Sequence, residues 1–528
     1  MKRPLLLLWL LGIGVCAVPS LGAQELINSA LTAMGGADAL AQVKTIVVKG
    51  TVRHWEPEQS IVAGGEMRYT ANSTFEMTGD FTAHAVRVDW VKNFLYPSQR
   101  TFQFSEIVTP EAGYVLGIDS NARNKQNRES TPPGHAMSSL RLTATQRELR
   151  RASPSLLLEM RHHPDKVSAS PAITIGGVTY PALTYQSDPY AFTVLFDPQT
   201  HLPARIRTLD YDNVWGDSTY DLTLADWRTL GGVQIATSQY YELNGKVVAD
   251  IKITDVSVNV PLAADRFEVP AALQAEAPKP ARGNVPYQWV LRRQFIGIYL
   301  DSDNPSFDTR AAAGLQLVEV APGVQHAVGG SHNSLIVELS NALVVFDAPV
   351  SDWQSNWTLA AAQAKYPGKP IKYLVLTHHH MDHVGGLRAY AAAGATLVVG
   401  KGNADHFHTV LTRPFARNPD LTPRDLSKTP VIEVAEQYTI PDGQRQVTVY
   451  LTENPHANGM LIGYVADAKL GFVTDLWSPG AAPLPDKITP PLAAVVNTVK
   501  KAGITPLKFA GGHGATGDYA PLAALAGN

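Results

Sequence analysis

The apolar run Ile371 to Leu376 leads directly into Thr377-His378-His379-His380-Met381-Asp382-His383-Val384-Gly385-Gly386, so His378, His380, Asp382 and His383 form an H-x-H-x-D-H cluster. Tyr373, Leu374, Val375 and Leu376 predict a strand, whose last residues reach a sheet edge where the chain turns. Side chains two apart can converge there, so His378 and His380 are expected to grip one ion. Asp382 and His383, past the turn, point differently and are free to hold a second ion beside it. Imidazole nitrogens with one carboxylate oxygen suit Zn²⁺, and an open coordination position leaves room for a reactive water. The competing reading is a solvated His-rich loop. The mixture of imidazole and carboxylate, with Gly385 and Gly386 behind it, argues against that.

A two-ion site needs more ligands than this cluster provides, and three downstream residues are placed to supply them. His456 lies in Asn454-Pro455-His456-Ala457-Asn458-Gly459, ahead of the apolar run Met460 to Val465. Asp475 ends the run Gly471-Phe472-Val473-Thr474, and His513 lies in Gly511-Gly512-His513-Gly514. Each is a polar residue held by Gly, Pro or the end of an apolar strand, where the backbone can place it accurately. Taken singly, such residues are more often surface or capping groups; as an ordered series behind the cluster they point to one site.

This series resembles the metallo-β-lactamase-fold metallohydrolase superfamily, from about Leu315 to Gly517. The resemblance implies an αββα sandwich of two mixed sheets with helices outside. It also implies the ligand sets: His378, His380 and His456 for a first zinc, Asp382, His383 and His513 for a second, and Asp475 bridging both. Asp347, at the end of Val344-Val345-Phe346, matches a position that supports the metal loop; a plain strand-end cap is the other reading of it. Two adjacent Zn²⁺ ions bring a shared water from a pKa of about 15.7 to near neutrality, so hydroxide is available without a strong base. Asp382 is the expected catalytic residue, orienting that hydroxide and handling a proton. An aspartate at 475, where true β-lactamases commonly carry Cys or Ser, turns the expectation toward an ester, lactone or thioester and leaves β-lactam hydrolysis a minor activity. His380 separates the chain from branches that bind two irons through glutamate, although a mononuclear iron dioxygenase branch keeps the same cluster.

Other polar residues near these motifs are read more plainly. The Gly329-Gly330-Ser331-His332-Asn333-Ser334 turn should lie beside the metals, where His332 or Asn333 could contact a substrate, but a Gly-led hairpin turn accounts for it more simply. His406 and His408 read as surface histidines, His162 and His163 as a solvated loop, and Arg413 and Arg417 as cations for an anionic substrate.

The chain has 528 residues, which suggests two to four domains. Lys2 and Arg3 precede the apolar stretch Leu5 to Val18 and a small-residue region, the layout of a signal peptide over residues 1–23, with cleavage after Ala23 or Ala17. The apolar run is shorter than the roughly 18 residues of a spanning helix, so a periplasmic or secreted bacterial protein is expected, with no transmembrane segment in the mature chain. Cys16 is the single cysteine, and it falls inside that segment. No thiolate or disulfide then serves the mature chain. A formal net charge of −3 leaves no electrostatic footprint for nucleic acid.

Residues 24–273 alternate apolar and polar positions in short runs and predict an antiparallel β-rich accessory domain, with Asn244-Gly245 as a two-residue hairpin turn. A helical pattern runs from Thr143 to Met160 in two pieces divided near Pro154, and 121–133 reads as a loop. Residues 274–286 have linker composition. Strands then alternate with helices over 287–528, as in a layered α/β domain. The opening Ala33-Met34-Gly35-Gly36-Ala37-Asp38-Ala39-Leu40 and the close from Asp255 to Pro270 resemble periplasmic lipoprotein-carrier-like domains. That resemblance implies a half-barrel-like sheet around a lipid or acyl group. An apolar-ligand carrier with a subsidiary hydrolase domain is therefore the alternative to a hydrolase acting on a small-molecule or acyl substrate.

Overall fold

The computed structural model describes residues 22–96, 99–119, 133–188, 190–276, 315–329, 332–418, 421–422, 424–481 and 483–527. Residues 1–21 of the expected signal segment, the loop at 121–132, most of the linker and the stretch up to Gly314 lie outside the described residues.

The β-rich region forms one 13-stranded antiparallel sheet. Its first strand, Thr45–Glu56, sits mid-sheet beside its last, Lys246–Val258. Successive strands step outward to Gly134–Ala136 at one edge. The chain then crosses through helices Ser139–Arg151 and Leu156–His162 to the opposite edge at Val167–Ile175 and steps back inward. The two helices are the pieces expected on either side of Pro154. The Asn244-Gly245 turn has φ of +50° and +80°, the left-handed pair a two-residue hairpin requires. Helix Ala23–Ala33 presents Leu26, Ile27, Ala30 and Leu31 to the sheet, where they join Leu157, Met160, Phe192 and Val194 in one apolar core. Among the described residues no helix is long and apolar enough to cross a membrane.

The C-terminal region is built from two sheets. A seven-stranded sheet runs from Gln316–Ala321 to Val431–Val434, and Leu343–Phe346, Ile371–Val375, Thr396–Gly400 and Val431–Val434 are parallel neighbours within it. A six-stranded sheet runs from Gln437–Ile440 to Thr516–Asp518. Their inner faces meet through Val337, Phe346, Val375 and Val398 on one side and Val449, Leu461 and Phe472 on the other. Helices Asp352–Lys365, Leu387–Ala392 and Ala404–Thr412 cover the outside of the first sheet, with Leu359, Leu387 and Phe407 in that core. Helices Pro490–Ala502 and Ala520–Leu525 cover the second through Val495, Val499 and Leu522. This is the four-layer αββα arrangement, and it delivers the carboxyl end of Ile371–Val375 to one rim.

The two regions pack directly on one another. Arg388, fully buried, donates to the Asn213 and Val214 carbonyls at 2.8 and 2.7 Å, and Tyr211 donates its hydroxyl to Asp352 at 2.7 Å. Arg413, read from sequence as a cation for substrate, instead donates to the Trp215 carbonyl at 3.2 Å. His406 is a correction to the sequence reading: it is 8% exposed, with its ring edge-on to Trp215 at 5.5 Å. It sits on the buried face of an amphipathic helix, which isolated His spacing does not reveal. His408 is exposed, as are His162 and His163.

Candidate metal centre

All seven predicted ligands converge at the sheet rim. His378, His380, His456 and Asp475 each offer a ligand atom within 4.8 Å of the others, and so do Asp382, His383 and His513 together with His332. After Ile371–Val375 the backbone turns through Thr377, whose N–H and hydroxyl both donate to the Asp347 carboxylate at 2.8 and 2.9 Å. A short helix, Met381–Val384, then swings His383 back so that its Nδ1 also meets Asp347, at 3.0 Å. The turn is so tight that a Cβ on Gly386 would overlap the Ser355 hydroxyl and the Ser351 carbonyl. Asp347 and Asp475 both have positive φ, +59° and +51°, a strained backbone for a residue with a Cβ and one that clusters at functional sites.

His378 Nε2, His380 Nδ1, His383 Nε2, His456 Nε2, His513 Nε2 and Asp475 Oδ2 are buried without a hydrogen bond. Such groups cost free energy unless something answers them. Asp475 Oδ2 lies 3.1 Å from His378 Nε2 and 2.9 Å from His383 Nε2, and its Oδ1 lies 2.8 Å from His513 Nε2. One carboxylate therefore faces both groups of ligands. The donor set, imidazole nitrogen with carboxylate oxygen, suits a pair of divalent cations such as zinc.

Each ring's other nitrogen explains which atom is left over. His383 Nδ1 is engaged by Asp347, and His378 Nδ1 lies 3.2 Å from the Thr377 hydroxyl. Asp347 is thus more than a strand-end cap: it holds the turn at Thr377 and orients the His383 imidazole. Burial sets the charge state of the first group. It pushes His378 down to about 4, against the pull of Asp475, and holds His380 well below the ordinary imidazole range. Both rings are neutral near pH 7.

His332, in the turn expected beside the metals though more simply read as a Gly-led hairpin, lies at the centre. It is 3% exposed, its Nε2 is 3.1 Å from Asp382 Oδ2, and its ring is 4.4 Å from that of His513. Asn333 braces the His513 loop, donating to the Gly511 and Gly514 carbonyls at 3.0 and 2.8 Å. The site opens on one side: the His513, Asp475 and His456 side chains are 25%, 17% and 15% exposed, while those of His378 and His383 are fully buried.

Residues 327–515 match a family described as the metallo-beta-lactamase superfamily. No curated protein matches the chain. Among solved structures, a stereoselective inverting sec-alkylsulfatase from Pseudomonas sp. is 15% identical over 40% of this chain and 40% of its own, with a TM-score of 0.31. A metallo-beta-lactamase from Pontibacter korlensis is 20% identical over 40% of this chain and 99% of its own, also at 0.31. A rubredoxin oxygen:oxidoreductase from Desulfovibrio gigas is 19% identical over 40% and 59%, at 0.31. The chain thus spans about two-fifths of the length of the alkylsulfatase it matches.

Proposed function

On the premise that the C-terminal domain is a metallo-β-lactamase-superfamily domain, we propose that this protein is an exported dinuclear zinc hydrolase of an ester-, lactone- or thioester-like bond. The observation that carries the reading is the set of six orphaned polar atoms gathered around Asp475. His378, His380 and His456 would hold one ion, Asp382, His383 and His513 the other, and Asp475 both. When bound, the ions supply a nucleophilic hydroxide near neutral pH and polarise the carbonyl under attack. Asp382 holds a proton in transit at a carboxylate steadied by His332 on Oδ2. Asp347 keeps the His383 ring in place through the reaction. Substrate approaches from the exposed side, past His456 and His513.

The test is turnover of a panel of lactones, thioesters, esters and β-lactams by the zinc-loaded chain, beside His378→Ala with His380→Ala. The proposal expects one of the first three classes to be preferred, and a fall in kcat/KM of at least about 100-fold in the double variant, the scale of losing one electrostatic stabiliser. Zinc-loaded chain that turns over no acyl substrate would sink it. Export rests on the Lys2-Arg3 and Leu5 to Val18 pattern, and recovery of the chain from a periplasmic or culture fraction with its first residues removed tests it.

A second reading gives the β-rich domain an apolar ligand. What supports it is a cavity of about 740 Å³ between sheet and helices, lined by Ile46, Val48, Val88, Trp90, Leu157 and Ile253. A fluorescent fatty acid titrated into the His378→Ala, His380→Ala chain separates the readings, since binding there is independent of the metal centre.

A further inference from the structure

The β1–β2 connection of the N-terminal sheet, residues 57–67 between strands Thr45–Glu56 and Arg68–Asp80, does not turn back on itself but reaches across the rim of the other domain. Gln59 donates its amide to Asp382 Oδ1 at 2.7 Å. The Ser60 carbonyl oxygen lies 2.9 Å from His380 Nε2 and 2.9 Å from His379 Nε2. The connection is also stitched down at both ends: Met381 N–H donates to the Glu58 carbonyl at 3.3 Å, and Asn458 N–H donates to that of Ile61 at 2.7 Å. Arg68 closes the far side. It donates to the carbonyls of Gln59 at 2.7 Å and His456 at 3.3 Å, and its guanidinium lies 4.2 Å from the centre of the Tyr96 ring.

The chemistry of the Ser60 contact is directional. A carbonyl oxygen only accepts, so His380 Nε2 must carry the hydrogen, and the lone pair is then on Nδ1. His380 Nδ1 is one of the orphaned atoms at the centre. His378 and His383 receive the equivalent service from Thr377 and Asp347 of their own domain. Asp382 is likewise gripped from both domains, by Gln59 on Oδ1 and His332 on Oδ2. Gln59 and Ser60 are buried, at 8% and 4% exposure, while Ile61 and Val62, one and two residues on, are each 52% exposed. The polar pair faces the site and the apolar pair faces outward, the reverse of what a loose surface loop would do.

We infer that this strap is part of the metal centre: the Ser60 carbonyl sets the tautomer of His380 and the Gln59 amide positions Asp382, so that metal retention requires the N-terminal domain. The inference rests on the two-ion reading above. Gln59 and Ser60 are positioning residues, acting through ligands. Outer contacts of this kind typically change metal affinity about 10–100-fold.

The test uses the full chain, stripped of metal and titrated with Co²⁺ against a chelator while its visible absorption is recorded. In one variant residues 57–67 are replaced by Asn-Gly, which joins the paired residues Glu56 and Arg68 through a two-residue turn. In the second, Gln59→Ala leaves the backbone untouched. The parent chain is expected to take up two ions. The shortened variant, with unchanged circular dichroism, should bind at least about 10-fold more weakly and show a shifted ligand-field band. Gln59→Ala should weaken one of the two ions and leave the other. If the shortened chain does not fold, the Gln59→Ala titration alone decides. Variants matching the parent in affinity and spectrum would overturn the strap's role while leaving the two-ion reading intact. A parent chain that takes up no ion overturns the reading beneath it.

Discussion

The two domains arrange their buried charge differently. In the N-terminal domain one helix, Ser139–Arg151, carries Arg141, Arg147 and Arg151 into the interior, and carboxylates meet them there. Arg141 reaches Glu106 at 2.8 Å and Asp119 at 3.0 Å, Arg147 reaches Asp210 at 2.8 Å, and Arg151 reaches Glu148 at 2.8 Å. In the C-terminal domain four histidines, His378, His383, His456 and His513, close instead on the single carboxylate of Asp475 at 2.8–3.4 Å. Charge matched in separate buried pairs holds a structure together, whereas several imidazoles converging on one carboxylate offer a metal-binding set. The contrast separates a structural network from a site even where both consist of fully buried ionisable groups.

The largest expected effect lies on the structural side. Arg141→Ala removes a buried cation from between Glu106 and Asp119 and should cost about 3–5 kcal/mol in urea unfolding, with zinc affinity unchanged in the protein that remains folded. A variant that instead lost zinc while keeping its stability would erase the distinction between the networks. Asp347→Asn probes the other side. It removes an anion from His383 and Thr377, and zinc affinity should drop about 10–100-fold while the unfolding midpoint of the metal-free chain moves far less than for Arg141→Ala. Equilibrium dialysis beside urea titration reads both quantities.

A smaller effect is expected where the domains meet. Burial pushes His406 down to about 4, with Lys246 adding to the shift. The unfolded chain, with an ordinary imidazole near 6.5, takes up a proton first as the pH falls. Stability from this group is therefore present above about pH 6.5 and lost toward pH 4, by roughly 3 kcal/mol at most. His406→Leu should flatten that part of the stability profile of the metal-free chain; an unchanged slope between pH 6.5 and 4 would contradict the burial of this ring.

Legibility in the sequence followed the same division. His378, His456, Asp475 and His513 could be read because each ends or precedes an apolar strand, and strand ends at one rim converge whatever their spacing along the chain. The Asn244-Gly245 hairpin could be read because the turn demands those residues. The partners of Thr45–Glu56 could not, since alternation predicts a strand but not that the first strand pairs with the thirteenth. The place of His332 beside the cluster was legible, but its contact with Asp382 was not, since a Gly-led turn accounted for the segment more simply. Gln59 and Ser60 carried no signal, because they act across 323 and 320 residues of sequence, one through a backbone carbonyl that every residue type possesses. His406 was misread because its partner Trp215 belongs to the other domain.

The central claim is that the unmatched atoms around Asp475 are the ligands of two zinc ions. Elemental analysis of the full chain, purified without added metal or chelator, tests it most directly. The account predicts two zinc ions per chain, and loss of at least one in His513→Ala. One iron per chain, or two zinc ions that persist undiminished in His378→Ala with His380→Ala, would contradict it.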